Sequence, residues 1–344
     1  MKRLISTIIF FGIIVSLAVP VFAAQKTIEL SLNTWVGNEK HPLYKNILKP
    51  WAEEVEKKSN GKLKITIYVN NALASNKMTY NAVKKGVCDI TGMFPSGDPK
   101  RFPLVKLLSL PMIYSSGEQA SKAFLELRKK YPQFDKEFKN VKILWIGTND
   151  VSHILTAKNK PAITNLNDFK GKICATWGHV TPVLKLLGAK PVLTNSQEVY
   201  QGSEKGVYDA VVENVGWFRA LNMQEVVSSI TKVGFEAMQL MYVMNEKKYN
   251  SLPDDLKQII NDTAPALSTA MPKMFDGFAV DLFKWLKAEH PEIKILELSS
   301  ADRKEMEKVL QPMKTEWVKE VTALGYPGQQ MLDDFISLCQ KYSK

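Results

Sequence analysis

Residues 161–178 read PAITNLNDFKGKICATWG, residues 187–192 read LGAKPV, and residues 198–214 read EVYQGSEKGVYDAVVEN. This stretch predicts a strand over 172–175, a helix over 180–187, a strand over 191–193, a helix near 197–204 and a strand over 210–212. Short apolar strands separated by helices mark an α/β unit with a largely parallel sheet.

The same alternation runs upstream. Residues 28–32 and 63–68 alternate apolar and polar side chains and predict strands. Helical patterns over 42–59, stopped by Asn60-Gly61, and over 77–85, closed by Gly86, are followed by a buried strand over 88–93. A proline-marked apolar connector, 102–113, leads to a helix over 117–130 and a strand over 141–146, and 154–157 opens a second alternating region. From Pro253 the pattern turns helical, with Pro253-Asp254-Asp255 a sound start because the acids sit near the positive end of the helix dipole. It persists toward His290, with kinks expected at Pro265 and Pro272, and two more amphipathic helices are expected over 301–324 and 329–341.

Met1-Lys2-Arg3, the apolar run 4–21 and the small residues at Ala23-Ala24 have the form of a cleaved secretory signal, so a periplasmic location is expected. Removal of Lys2 and Arg3 with it takes the formal charge from +11 to +9. The remaining lysines are interleaved with acids, and without a basic stretch carrying aromatics no nucleic-acid partner is expected. Cys88, Cys174 and Cys339 are too scattered for a disulfide framework. Neither Cys-x-x-Cys nor His-x-x-x-His spacing occurs, and neither a protein-held metal nor a cofactor is expected.

The ordered motifs resemble those of TRAP (tripartite ATP-independent periplasmic) transporter substrate-binding proteins, in the C4-dicarboxylate-binding-like family. They are Ser59-Asn60-Gly61, Gly86-Val87-Cys88-Asp89-Ile90, Phe102-Pro103-Leu104 with Leu110-Pro111, Asp168 through Lys172, Leu187-Gly188-Ala189 with Pro191-Val192, and Gly206-Val207 with Asp209. The resemblance implies a two-lobed α/β periplasmic-binding-protein fold with a central cleft, a long bent helix crossing both lobes and a helical C-terminus. The expected division is a signal peptide over 1–23, lobe I over 24–148 with a return segment near 237–265, lobe II over 149–236, and packing helices over 266–344. It also implies a non-catalytic monomer that closes on a small organic ligand and hands it to the membrane permease subunits of a TRAP transporter, driven by an ion gradient.

One departure bears on the ligand. Where the family has an arginine after Lys170-Gly171-Lys172-Ile173, able to fork onto a carboxylate, this chain has Cys174. Either the ligand lacks a carboxylate there or another residue supplies the charge, and Arg219 is the first substitute considered, ahead of Arg101. Asn214, in the Glu213-Asn214 step, can offer its amide to a ligand oxygen. Trp35, Phe94, Trp177 and Trp217 each follow a strand, where open α/β sheets bind ligands. With Asn71, Asn149, Asp150 and His153 as polar neighbours, they describe a pocket for an aromatic or amphipathic acid or an amine-bearing compound.

Three other readings remain open from the residues. Cys174 could be a nucleophile with His153 or His179 as base, although a third orienting group is missing. The protein could serve an ABC importer or a sensor, or bind a short carboxylate through a substitute arginine.

Overall fold

The computed structural model describes residues 27–196 and 198–343, so the expected signal peptide lies outside the described residues. In chain order the first part runs β1 (Ile28–Asn33), α1 (Lys49–Lys58), β2 (Leu63–Tyr68), α2 (Thr79–Lys85), β3 (Ile90–Met93), α3 (Gly117–Lys130), α4 (Gln133–Lys136) and β4 (Val141–Thr148). Next come β5 (His153–Ala157), β6 (Ile173–Thr176), α5 (Thr181–Leu186), β7 (Lys190–Leu193), α6 (Val199–Glu204), β8 (Ala210–Glu213), β9 (Val227–Lys232) and β10 (Gln239–Asn245). The remainder is α7 (Glu246–Asn250), α8 (Asp254–Thr263), α9 (Leu267–Glu289), β11 (Lys294–Glu297), α10 (Ser300–Ala323) and α11 (Gly328–Lys341).

The strands form two sheets, ordered β2-β1-β3-β10-β4 and β11-β9-β5-β8-β6-β7. In the first, β1 pairs parallel with β2 and β3, while β10 runs antiparallel between β3 and β4. In the second, β6 is parallel to β7 and β8, and β5 is antiparallel to β8 and β9. The C-terminal ends of β1 to β4 therefore share one edge of the first sheet, and those of β6 to β9 share one edge of the second. The two-lobed α/β organisation expected from the sequence is the one observed.

Two segments join these edges. Residues 149–152 lead from β4 to β5 and residues 233–238 return from β9 to β10. They run antiparallel, with Ser152 N donating to Glu236 O at 2.8 Å, Phe235 N to Ser152 O at 3.1 Å and Asn149 N to Met238 O at 3.1 Å. The proline-marked connector is tied on as well, because Met112 N donates to Phe235 O at 2.7 Å.

Strand β10 was not among the predicted strands, since a strand buried on both faces reads as an unbroken apolar run without alternation. Edge strand β11 is only four residues and carries too little pattern to announce itself. The long helical pattern from Pro253 divides at Pro265 into α8 and α9, whereas Pro272 is accommodated inside α9. Helix α9 does cross both lobes. Near its start Met271 packs under the first sheet, and near its end Leu282 and Leu286 join the second-sheet core with Leu155, Val211 and Ile230. At about 1.5 Å per residue its 23 residues span roughly 34 Å, enough for that reach. Helix α10 makes a second bridge, with Met306 and Leu310 in one core and Trp317 and Val321 in the other.

Helix α3 begins against the first crossing segment. The Asp276 carboxylate, from α9, accepts the Gly117 and Glu118 N–H groups at 2.9 and 2.7 Å and so caps the helix. A Cβ at Gly117 would lie 2.1 Å from the Asn149 carbonyl oxygen. Gly117→Ala is expected to force the helix off the crossing segment and destabilise the fold by about 1–3 kcal/mol in urea unfolding. A loss within error would show that the segment yields freely.

Candidate functional site

The shared strand edges carry two aromatic pairs. Trp35 follows β1 and Phe94 follows β3, with ring centroids 5.5 Å apart and planes tilted by 47°. Trp177 follows β6 and Trp217 lies just beyond β8, with centroids 4.9 Å apart and a 48° tilt. The indole N–H groups of Trp35, Trp177 and Trp217 are buried without a partner. That of Trp145 is too, but its ring is held in the core between Trp51 and Tyr242. Trp35 and Trp217 also rest against the cores of their lobes, but unlike Trp145 all three stand beyond strand ends. Asn71, at a positive φ of 54°, is anchored by its own N–H to Thr34 O at 2.8 Å, leaving its side-chain oxygen buried and unpartnered.

Asp150 lies on the first crossing segment. Its carboxylate accepts Asn214 Nδ2 at 2.9 Å and the Val215 and Gly216 N–H groups at 2.8 and 3.0 Å. Burial raises it to about 6, against the lowering effect of these bonds. Asp150 thus shapes the loop after β8 rather than presenting a free charge. Its neighbour Asn149 braces the crossing, accepting Met238 N at 2.8 Å. Asn214 gives one of its two amide N–H donors to Asp150, and its carbonyl oxygen is buried without a partner.

Below Trp177 lies a buried group of which only His179, as a possible base, was singled out from the sequence. Glu213, at the end of β8, takes the Thr176 hydroxyl at 2.9 Å and the Trp177 N–H at 2.5 Å on one oxygen. Its other oxygen is 3.4 Å from His179 Nε2. The same nitrogen is 3.3 Å from Glu236 Oε1 and 3.4 Å from Ser152 Oγ. Burial raises Glu213 to about 8 and Glu236 well above the usual carboxylate range, and depresses His179 to about 4. At neutral pH the protons therefore reside on carboxyls and the ring is uncharged. Glu236 had one sequence signal, a lone acid inside the apolar run Val233-Gly234-Phe235-Glu236-Ala237-Met238.

Three expected site residues lie elsewhere. Cys174 is wholly buried in the core with Ile154, Phe169 and Val212, and burial pushes its thiol up to about 12. A strand alternates its faces and Cys174 stands two residues short of the β6 end, so this side chain serves packing. A thiol so placed is a poor nucleophile. His153 turns its Nδ1 to the Val233 and Gly234 N–H groups at 3.2 and 3.3 Å. It lines a separate groove of about 470 Å³ with Tyr114, Lys232 and Arg303. Burial, with the charges of Lys232 and Arg303, lowers it to about 3. Arg219 is exposed, its guanidinium 4.6 Å from the Trp285 ring.

The other described arginines are also engaged. Arg101 pairs with Asp98 at 3.3 Å, Arg128 pairs with Asp135, and Arg303 donates to Val233 O at 2.7 Å. Among the described residues no His, Cys, Asp and Glu cluster could hold a metal ion, and no helix is long and apolar enough to cross a membrane.

Residues 33–320 match the family model described as bacterial extracellular solute-binding protein, family 7 (DctP), and the chain belongs to that family. It is a family of substrate-binding proteins, and the fold is that of TRAP solute-binding proteins. The chain is 28% identical to a TRAP periplasmic solute-binding protein of Desulfovibrio salexigens, covering 92% of this chain and 97% of that one with a TM-score of 0.83. It is 26% identical to a marine metagenome TRAP protein specific for aromatic acids, solved with 3-hydroxybenzoate, covering 93% and 100% with a TM-score of 0.80. Among curated proteins it is 24% identical to the outer membrane transporter protein TsaT of Comamonas testosteroni, over 92% of this chain and 93% of that one.

Two predictions follow from the burial. Cys174→Arg should destabilise the fold by more than about 3 kcal/mol, through overpacking and an unpaired buried charge, while Cys174→Ala stays well below that. Equal losses in chemical unfolding would place the side chain outside the core. The second concerns pH. Raised carboxyls stabilise the fold fully below pH about 4.5, and that contribution is lost as pH rises through the folded values, about 8 for Glu213 and higher for Glu236. Depressed His153 and His179 act oppositely, their contribution being present above about 6.5 and lost as pH falls toward 4 and 3. Glu236→Gln should accordingly raise the melting temperature more at pH about 8.5 than at pH about 5.5. A difference independent of pH would mean that Glu236 is not held protonated.

Proposed function

We propose that this protein captures a small amphipathic molecule with a planar, apolar body between Trp35, Phe94, Trp177 and Trp217, and delivers it from the periplasm to an ion-gradient-driven TRAP permease. One observation carries the reading: two aromatic pairs occupy the strand edges of the two lobes, and every described arginine is engaged elsewhere. Aromatic faces give broad apolar contact, and the three indole N–H groups offer neutral donors to the ligand's polar end. The aromatic-acid specificity of the marine metagenome relative supports the aromatic part of this reading. Affinity comes from burying the ligand as the lobes close, and delivery from coupling closure to permease docking, so no bond chemistry is required.

Thermal-shift screening of the purified protein tests this, because a ligand that binds only the folded state raises its apparent stability. Aromatic acids and aromatic amines as a group should raise the melting temperature more than succinate or malate, and Trp177→Ala should weaken the best of them by roughly tenfold or more. The largest shift from a short dicarboxylate would overturn the assignment.

A further inference from the structure

The Glu213, His179 and Glu236 group is tied to the backbone of Trp177, beside one of the aromatic pairs assigned to the cleft. It draws on three separate segments, the end of β8, the loop beyond β6 and the return crossing, so their convergence is a product of the fold. The loop that carries His179 also carries Trp177, whose backbone N–H is bonded to Glu213, and the Trp177 ring meets Trp217 at 4.9 Å.

The group holds several buried oxygens without a hydrogen-bond partner. Glu236 is 1% exposed, and neither of its carboxylate oxygens accepts a hydrogen bond. Glu213 is 0% exposed and has one such oxygen, and the Asn214 carbonyl oxygen is a further one. His179, the one side chain between the two acids, offers a single nitrogen at 3.3 and 3.4 Å. No described lysine or arginine pairs with either glutamate, and the nearby ionisable groups are Asp150, itself acidic, and the Tyr114 phenol. A buried oxygen without a donor is costly, and a buried carboxylate without a cation more so. Ligands able to correct this carry N–H donors and positive charge.

We propose that Glu213 and Glu236, braced by His179, receive the protonated nitrogen of the ligand, making the site selective for aromatic amines over acids with the same ring and spacer. This rests on the reading of the aromatic cleft given above. An ammonium brings three donors for the unpartnered oxygens, and indole faces attract a cation through their quadrupole. A carboxylate in the same place brings acceptors alone and leaves the unpartnered oxygens without a donor.

Titration calorimetry at pH about 7.5 with 2-phenylethylamine and 3-phenylpropionate, which share a phenyl ring and a two-carbon spacer, separates the possibilities. The amine should bind at least tenfold more tightly than the acid. Its binding should release protons, seen as a heat that changes between buffers of different ionisation enthalpy, because the ammonium draws protonated carboxyls into their charged form. Glu236→Gln should weaken the amine at least tenfold and leave the acid unchanged or tighter. Tighter binding of the acid, or unchanged amine affinity in Glu236→Gln, would overturn the subsite while leaving the aromatic cleft standing. Absence of binding by both probes, with no thermal shift from other aromatics, would overturn the cleft as well.

Discussion

The antiparallel pairing of residues 149–152 with residues 233–238 is the constraint on which the rest of the molecule depends. Its backbone bonds at Ser152, Phe235 and Asn149 are the main-chain link between two sheets that otherwise have separate cores. Because β4 and β10 enter the first sheet next to each other and β5 and β9 the second, the paired segments bring the C-terminal strand edges of both lobes to one place. They also bear polar side chains that help build the site. Asp150 holds the loop after β8, Ser152 reaches His179, and Glu236 completes the buried acid pair. Helices α9 and α10 span the same junction, so bending there must repack side chains on both without breaking either sheet.

The site is arranged in two ways that oppose each other energetically. Its aromatic rings bury apolar surface, which favours folding and ligand capture alike. Its carboxyls are desolvated and held protonated, which favours neither in the absence of a partner. A core could have filled the same space with leucine and gained stability by it. Acids retained beneath Trp177 are intelligible as a specificity device, since an unpaired buried acceptor penalises every ligand that fails to donate to it.

Much of the fold was legible in the sequence because local patterns carry it. Alternation revealed β1 and β2, glycines marked the ends of α1 and α2, and the proline with two acids placed the start of α8. Doubly buried β10 escaped because burial on both faces erases the alternation that marks a strand. The aromatic residues were visible as strand-end residues, but a one-dimensional pattern cannot say which way a side chain turns. Cys174 and His153 turn into a core and a side groove, and Arg219 lies exposed on Trp285.

Sequence alone thus determined the α/β class, the TRAP-type resemblance and the cysteine where the family has its arginine, since each depends on residue identity and local order. Only the tertiary structure decided which groups gather beneath Trp177. Glu213 and Glu236 are 23 positions apart and His179 stands 34 before Glu213, with nothing in their spacing to link them. They meet because two strand ends and a return crossing converge, and they have chemical consequence because that convergence removes water. Burial is a property of the whole packed chain, and it is burial that moves a carboxyl's proton affinity.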